Sequence, residues 1–488
     1  MFVVTVREPA AAADGLVRAR PGDAGVDAAR IEAFLDDAAA ADLSLHTLAV
    51  HRRGRLAVEI GWWPYRVDGP RVVHSVAKSF TACAIGMALE EGRFALADRV
   101  VSFFPEAVRR GADEKLAAMT VEDLLTMRVG HSDETSGSRW RGLRTSWIEE
   151  FFRIPVVHWP GTVYTYTSAA SYMLSAILTR VSGLTLHDYL RPRLFEPLGI
   201  QAETWDIGPD GINPGGNGLK CTTLDMLKLG VLHAQRGVWN GRRILSESWV
   251  SEATRAHSAT GYGYHWMSGQ NGTYAALGVF GQMVVVFPQY GAALAVTAAV
   301  NGTWACERRL LPIVYKHFPA AFRDDVQDGE AQARLDRRLH RAAAVTPLAT
   351  SAEAAPGRVG GLAYSVQGNA LGITGLRLNL ARDKCTLYLT DAQGEHAIEM
   401  GVGSWIESAT YLPGSDLHHG YDLRPARVVA AARWLDPNTL QMSWLFVETA
   451  FQDTVVCRFD GDSMRLSRHV NVNSGPLSHP ELIGRAVA

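Results

Sequence analysis

A Ser-x-x-Lys step, Ser75-Val76-Ala77-Lys78, heads an apolar stretch that reads as a helix from Val76 to Gly92. A turn of about 3.6 residues puts Ser75 and Lys78 on one helical face, within hydrogen-bond reach of each other. A serine hydroxyl becomes a useful nucleophile when a base takes its proton, and a lysine can be that base only as the neutral amine. Burial and neighbouring cations favour the neutral form. The chain carries 48 basic residues, of which only six are Lys. It therefore relies on Arg for positive charge, and Arg cannot give up its proton, so a Lys at position 78 fits a need for a deprotonatable amine. The four-residue step alone is a common accident, and its context has to decide.

That context begins at Pro160-Gly161-Thr162-Val163-Tyr164-Thr165-Tyr166-Thr167-Ser168, just before a second helical run. A tyrosine at 166 held near Lys78 can share the Ser75 proton and pass it to a leaving group, with the Ser168 hydroxyl bridging the pair. Read alone, Tyr166 is better taken as a core tyrosine, and its pairing with Ser75 and Lys78 reverses that reading.

The elements that must bring these residues together are legible in outline. Asp27 can cap a helix with apolar positions Ile31, Phe34, Leu35 and Ala38. A hairpin follows, His46 to Val50 and Leu56 to Gly61, around Arg52-Arg53-Gly54. From Ser75 to about Ala256 the pattern is mainly helical. Phe80, Cys83, Ala84, Met87 and Ala88 form one stripe, Gly92 is a C-cap candidate, and Val121 to Met127 and Tyr172 to Val181 are further helices. Met283 to Phe287 and Ala292 to Val300 are strands joined by Pro288-Gln289-Tyr290-Gly291, followed by a helix from Cys306 to His317. Strands at both ends with helices inserted between them predict an α+β domain whose sheet is assembled from distant parts of the chain. Residues 342–356, rich in Ala, Thr, Ser and Pro, read as a linker. Beyond them the pattern is β throughout: Leu376 to Leu380, Cys385 to Leu389, His396 to Met400, Arg427 to Trp434, Leu440 to Val447, Thr454 to Phe459 and Met464 to Val472. Short strands at regular spacing predict an antiparallel meander that closes into a barrel or sandwich. The expected boundaries are an N-terminal tail at 1–21, a catalytic domain at 22–325, a helix and linker at 326–357 and a β domain at 358–488.

Composition excludes other classes. With 488 residues, 47% hydrophobic and 20% charged, and a net charge of −2, the chain has no electrostatic footprint for nucleic acid. The five cysteines, Cys83, Cys221, Cys306, Cys385 and Cys457, are far apart and form no C-x-x-C pair, so they read as reduced core residues. No apolar run approaches the roughly 18 residues of a membrane span. The N-terminus lacks a signal-peptide core, and the expected location is cytoplasmic.

The stretches HSVAKSFTACAIGMALEEGRFALADRVVSFFPE, LLTMRVGH, PGTVYTYTSAASYMLSAIL, CTTLDMLKLGVLHAQRGVWNGRRILSESWV and GYGYHWM lie in order between Gly22 and Ala320. Together they resemble the serine β-lactamase-like hydrolases, relatives of class C β-lactamases, D,D-peptidases, family VIII esterases and 6-aminohexanoate-dimer hydrolases. The resemblance implies a β-lactamase/D,D-peptidase-like fold, an antiparallel sheet flanked by helices with an all-helical insertion. It implies Ser75 as acyl-forming nucleophile and Lys78 with Tyr166 as the proton-handling pair, without choosing between them. The family's third motif, commonly Lys-Thr-Gly or His-x-Gly, aligns with Ala276-Leu277-Gly278-Val279-Phe280-Gly281-Gln282, where Val279 replaces the basic residue. Lack of that cation argues against substrates with a carboxylate beside the scissile bond, and so against a D,D-peptidase or β-lactamase. By the same analogy the N–H groups of Ser75 and Gln282 form an oxyanion hole, with Gly281 allowing close approach or serving only as a strand glycine.

The reading that follows is a serine hydrolase acting through an acyl-enzyme on an ester or amide, or an acyltransferase, with no cofactor and no metal. Its partner is a small-molecule or peptide-like acyl substrate. Trp159, Tyr164, Val279 and Phe280 are expected to line the cleft. His131 is expected to be structural, and His265 and Trp266 either line the cleft or fill the core. His418 and His419 have no identifiable co-ligands for a metal. The C-terminal domain resembles the lipocalin-like domains of some superfamily members. The roles open to it are a cleft wall, a homodimer surface or a stabilising appendage. The rival reading is a catalytically silent binding or sensor protein on the same fold.

Overall fold

A computed structural model describes residues 14–108, 113–132, 137–302, 304–326, 329–345, 348, 360–412, 414 and 416–487. The chain divides into two compact units, residues 1–300 with 304–343, and residues 344–488 with 301–303. Most of the expected linker lies outside the described residues.

The first unit is built on a seven-stranded sheet. Its order from one edge is Val17–Arg18, Arg55–Gly61, Ser44–Arg52, Ala292–Ala299, Gln282–Phe287, Tyr274–Gly278 and Met267–Ser268. All pairings are antiparallel except the first. Val17–Arg18 falls inside the stretch expected to be a tail and pairs in parallel with Arg55 and Leu56. The Ser44–Arg52 and Arg55–Gly61 hairpin turns at Arg53 (φ 48°) and Gly54 (φ 80°), the left-handed pair that matches strand twist in a two-residue loop.

Side-chain alternation sends the central strands' residues to two different cores. Met283, Val285 and Phe287 join Leu294 and Val296 against Phe34, Val314 and Phe318, on the helices Ala28–Ala40 and Leu311–Ala321. Val284, Val286, Ala293 and Ala295 face the helical insertion. Asp27 caps the first of these helices, its Oδ1 accepting from the N–H of Ala29 (2.9 Å) and Arg30 (3.4 Å). The Gly329–Ala342 helix packs on the same face through Ala331 and Leu335.

The helix after Ser75 spans Ala77–Glu90, entered through a tight turn at His74–Val76, and every residue from Ala77 to Ala88 is buried. The one-sided stripe expected from sequence is therefore too narrow. The helix is sandwiched between layers, packing on the Ser168–Ser182 helix, while Trp249 lies across it at Gly86, where a Cβ would come within 2.3 Å of the indole. Two other expected helices are altered at their ends. Val121–Leu125 stops before Met127, which is left-handed at φ 57°. Residues Cys306–Leu310 form a wide π-type turn before the Leu311–Ala321 helix.

The second unit is a barrel. Strands Gly394–Val402, Lys384–Asp391, Gly375–Leu380, Gly360–Val366, Leu482–Ala486, Ser463–Val470, Gln452–Asp460, Thr439–Phe446 and Ala426–Asp436 follow one another in hydrogen-bonded order. The ring of nine closes where Gly401 and Val402 pair in parallel with Ala431 and Ala432. Ile406–Thr410 adds a tenth strand against Ala426–Asp436. Alternation is clean in Thr439–Phe446, where Leu440, Met442, Trp444 and Phe446 are buried. His418 is buried beside Asp453, its Nε2 2.9 Å from Oδ1, and Arg468 Nε donates to the other carboxylate oxygen at 2.6 Å. Among the described residues no cluster of three or more His, Cys, Asp or Glu side chains is placed to hold a metal ion. All five cysteines are buried and free, and among the described residues no helix is long and apolar enough to cross a membrane.

Candidate active site

Lys78 is 2% exposed. Its Nζ lies 3.2 Å from Ser75 Oγ, 3.0 Å from Ser168 Oγ and 2.9 Å from the carbonyl oxygen of Gly216. The Tyr166 ring sits against the same amine, with its centroid 4.8 Å from Nζ. The structure thus gathers Ser75, Lys78, Tyr166 and Ser168 at one point, and Ser75 is half-buried. The Gly216 carbonyl can only accept and so takes one Lys78 N–H, while the Ser168 and Ser75 hydroxyls can each accept from or donate to the same nitrogen.

Three backbone approaches fix this cluster. Pro214-Gly215-Gly216-Asn217-Gly218 is the first, a glycine run to which the sequence reading attached no role. Thr81, one turn beyond Lys78, donates to Gly215 O at 2.7 Å. A Cβ on Gly216 would come within 3.1 Å of Lys78 Nζ and 3.2 Å of the Ser168 and Ser171 Cβ atoms, so only glycine leaves the lysine its room. The second approach holds the Tyr166 loop. Gly161 N–H donates to Arg128 O (2.8 Å), Thr165 N–H to Met127 O (2.9 Å), and the N–H groups of Val157 and His158 to Gly130 O. The Leu-Leu-Thr-Met-Arg-Val-Gly-His segment is thus the scaffold of that loop. His131 itself is buried edge-on to Phe151, at 5.0 Å between centroids, and burial holds its pKa down to about 4.

The third approach is the Tyr274–Gly278 strand, and here the sequence reading needs correction. A Cβ on Gly278 would lie 2.7 Å from Val73 O and 3.3 Å from His74 Cβ, so it is Gly278 that runs beside the segment leading to Ser75. Gly281 (φ 94°) points its missing Cβ at Ala298, Val300 and Leu310, in the core on the other face of the sheet. Gln282 is 1% exposed, and its side-chain amide donates to Ala298 O at 3.0 Å. Phe280, expected on a cleft wall, is 1% exposed and stands edge-on to His74 at 5.4 Å, which makes it a support for the turn before Ser75. Val279 is half-buried. Trp159 is 49% exposed, and Tyr164 is half-buried with its ring 5.3 Å from that of Tyr262.

Other neighbours came from the Gly-Tyr-Gly-Tyr-His-Trp-Met stretch. Tyr262 is buried and packs its ring at right angles to Tyr166 (6.2 Å). His265 Nδ1 is 3.4 Å from the Tyr262 hydroxyl and Nε2 3.1 Å from Ser171 Oγ, while its carbonyl accepts from Ser79 Oγ at 2.7 Å. Burial, and secondarily the nearby Lys78 charge, pushes the imidazole well below its ordinary pKa. Burial pushes the Tyr262 phenol well above its own, with Tyr166 and Tyr164 adding to it. Trp266 belongs to the core, its ring tilted against that of His233 with 4.5 Å between centroids.

A sheet with helices on both faces, a helical insertion and a Ser-Lys-Tyr cluster between them define a class of protein. Residues 28–310 match the Beta-lactamase family model, and the chain belongs to that family. Residues 344–488, which hold the barrel strands, lie outside the matched residues. The chain is 24% identical over 253 residues to the 6-aminohexanoate-dimer hydrolase of Paenarthrobacter ureafaciens, covering 46% of this chain and 64% of that protein. It is 26% identical over 286 residues to penicillin-binding protein 4 of Amycolatopsis lactamdurans, covering 49% and 73% respectively. A penicillin-binding protein homologue from Caulobacter crescentus superposes on 59% of this chain and 97% of its own with a TM-score of 0.50 at 19% identity, a likeness of fold.

Proposed function

We propose that this protein is a serine hydrolase that works through an acyl-enzyme on esters or amides whose scissile carbonyl has no free carboxylate beside it. The observation that carries the reading is the buried Lys78 amine, 3.2 Å from Ser75 Oγ and held by Ser168 and Gly216. In this reading Ser75 Oγ attacks the carbonyl carbon as its proton passes to the Lys78 and Tyr166 pair. The oxyanion is held by the Ser75 N–H and a backbone N–H of the Gly278-Val279 step, since Gly278 lies against Val73 and His74, the residues that lead into Ser75. The C–O or C–N bond then breaks, and the departing alcohol or amine carries off the proton. Water attacks the acyl-serine, restores the Ser75 hydroxyl and releases the acid. An added alcohol or amine in place of water gives acyl transfer by the same step.

Support for substrates without a carboxylate beside the scissile carbonyl comes from the third motif, where neither Ala276 nor Val279, the residues two before Gly278 and Gly281, is a cation. The Paenarthrobacter relative is named for hydrolysis of a 6-aminohexanoate dimer, in which the free carboxylate is several carbons away from the scissile amide. Incubation with a fluorophosphonate or p-nitrophenyl acetate followed by intact-mass measurement should show one adduct per chain, absent in Ser75→Ala. An unmodified wild-type protein, or an adduct that survives Ser75→Ala, would sink the proposal.

A further inference from the structure

Two rings stand at right angles to Tyr166: Tyr262 at 6.2 Å and Trp304 at 5.6 Å. They differ in one respect that matters for a substrate. Tyr262 is 5% exposed and engaged with His265, whereas Trp304 is 36% exposed. Of the two, Trp304 is the one with a face left for something to be laid against.

Its backbone explains how it is aimed. Trp304 adopts φ 59°, a left-handed conformation that a bulky side chain rarely takes and that persists only where the surroundings enforce it. Behind it in sequence, Val300 N–H donates to Phe280 O (3.1 Å), tying the end of the Ala292–Ala299 strand to the Val279–Gly281 turn beside Ser75. Ahead of it, Trp304 O accepts from Arg308 N–H (3.0 Å) at the start of the following helical turn. The indole is thus anchored between the third-motif turn and a helix start. It is set against the tyrosine whose ring touches the Lys78 amine.

We propose that Trp304 is the wall of the leaving-group side of the cleft and selects substrates whose alcohol or amine half is aromatic or otherwise broad and apolar. The assignment rests on the hydrolase reading, in which Tyr166 takes part in returning the Ser75 proton to the departing group. A leaving group that reaches Tyr166 meets the exposed indole next to it. Flat, uncharged groups gain an aromatic contact there, and small ones leave the ring solvated.

Benzyl acetate and methyl acetate test this in the full chain. Their alcohols are of similar acidity, and both esters form the same acetyl-enzyme. Trp304→Ala should lower kcat/KM for benzyl acetate roughly tenfold more than for methyl acetate, the scale of a lost apolar pocket contact. The breakdown rate of the acetyl-enzyme should not change. Trp304→Leu keeps apolar bulk without the flat face, and it should shift the benzyl-to-methyl ratio in the same direction if the alanine variant does not fold. Equal losses on both esters, or a changed deacylation rate, would overturn the assignment. The fluorophosphonate adduct separates the two failures: without it the hydrolase reading falls, and with it but without a change in selectivity only the role of Trp304 does.

Discussion

Gly216→Ala is the most informative single-atom perturbation of this site, because it adds a methyl group without removing any reactive group. The new Cβ would lie 3.1 Å from Lys78 Nζ, closer than nearly all real Cβ contacts, so a neighbour must give by a few tenths of an ångström. The other two contacts, the Cβ atoms of Ser168 and Ser171 at 3.2 Å, belong to the buried Ser168–Ser182 helix and cannot give easily. The end of the lysine can. Its link to Ser75 Oγ is already 3.2 Å long, and a retreat of that size stretches it toward the limit of a hydrogen bond. Misplacement of a catalytic group by about 1 Å costs on the order of 100-fold, so a shift of a few tenths of that should slow acylation by about 3-fold to 10-fold.

Stability should behave differently. No left-handed φ is required at Gly216, so alanine should gain roughly 0.4–1 kcal/mol through the unfolded chain, set against the crowding. The melting temperature should therefore move by less than about 4 °C. Gly215→Ala is the contrasting control. Gly215 has φ 68°, and its Cβ would fall 2.6 Å from Ser171 O, a backbone atom, so stability and activity should fall together. The assay is the pre-steady-state burst with p-nitrophenyl acetate beside a thermal melt. A Gly216→Ala protein that acylates at the wild-type rate would refute the argument that this carbonyl and its missing side chain set the position of Lys78.

Lys78→Arg should reduce the burst rate by about 100-fold to 10,000-fold, since a guanidinium cannot accept the Ser75 proton; an undiminished burst would remove the base from the scheme. Gly86→Ala drives a Cβ to 2.3 Å from the Trp249 indole and should destabilise the first unit by about 1–3 kcal/mol in denaturant titration, whereas an unchanged midpoint would mean Trp249 moves freely. The fold holds His51, His131 and His233 neutral, each with its pKa down to about 4, chiefly through burial. The unfolded chain therefore binds more protons below pH 6.5, and stability that is complete above that pH falls as pH drops toward 4, by roughly 2 kcal/mol per imidazole at pH 5. Melting curves from pH 7.5 to 5 read this slope directly, and His131→Leu should flatten it; a pH-independent midpoint would contradict the burial argument.

Local signals survived the passage from sequence to structure best. Asp27 caps its helix and Arg53-Gly54 makes its hairpin turn, because both depend on residues within three positions of each other. Ser75 and Lys78 are of this kind as well. The alternation of Leu376, Leu378 and Leu380 marked a barrel strand because one face meets the interior. What was not legible depends on distant partners. Gly360–Val366 and Leu482–Ala486 have little intrinsic strand character, and each gains it from the neighbours between which the barrel seats it. Gly216 reaches Lys78 from 138 positions away, and Ser79 meets His265 across 186. No spacing rule covers such distances. The third motif misled for a related reason. Gly278 and Gly281 lie only three residues apart, yet one turns to the Ser75 segment and the other to the opposite core. Which is which follows from the kink at Phe280 (φ 66°), which the letters do not announce.

Three glycines now explain more of the site than the motif residues do. Gly216 admits Lys78, and Gly278 lets the sheet edge lie against Val73 and His74. Gly130, where a Cβ would strike His158 O at 2.2 Å, seats the loop that carries Tyr166. Each brings a backbone close against one arm of the cluster, at a separation that crowds any larger residue at Gly216 and excludes one at Gly278 and Gly130, and none of them contributes a reacting atom. The positions of Ser75, Lys78 and Tyr166 are therefore set by three independent contacts that meet only at the amine. A defect at Gly130 should displace the tyrosine while leaving the Ser75 to Lys78 distance intact, and a defect at Gly278 should do the reverse. The two lesions would then divide proton return to the leaving group from nucleophile activation, a separation that substitution of the reactive side chains themselves cannot make, because those residues act as one unit.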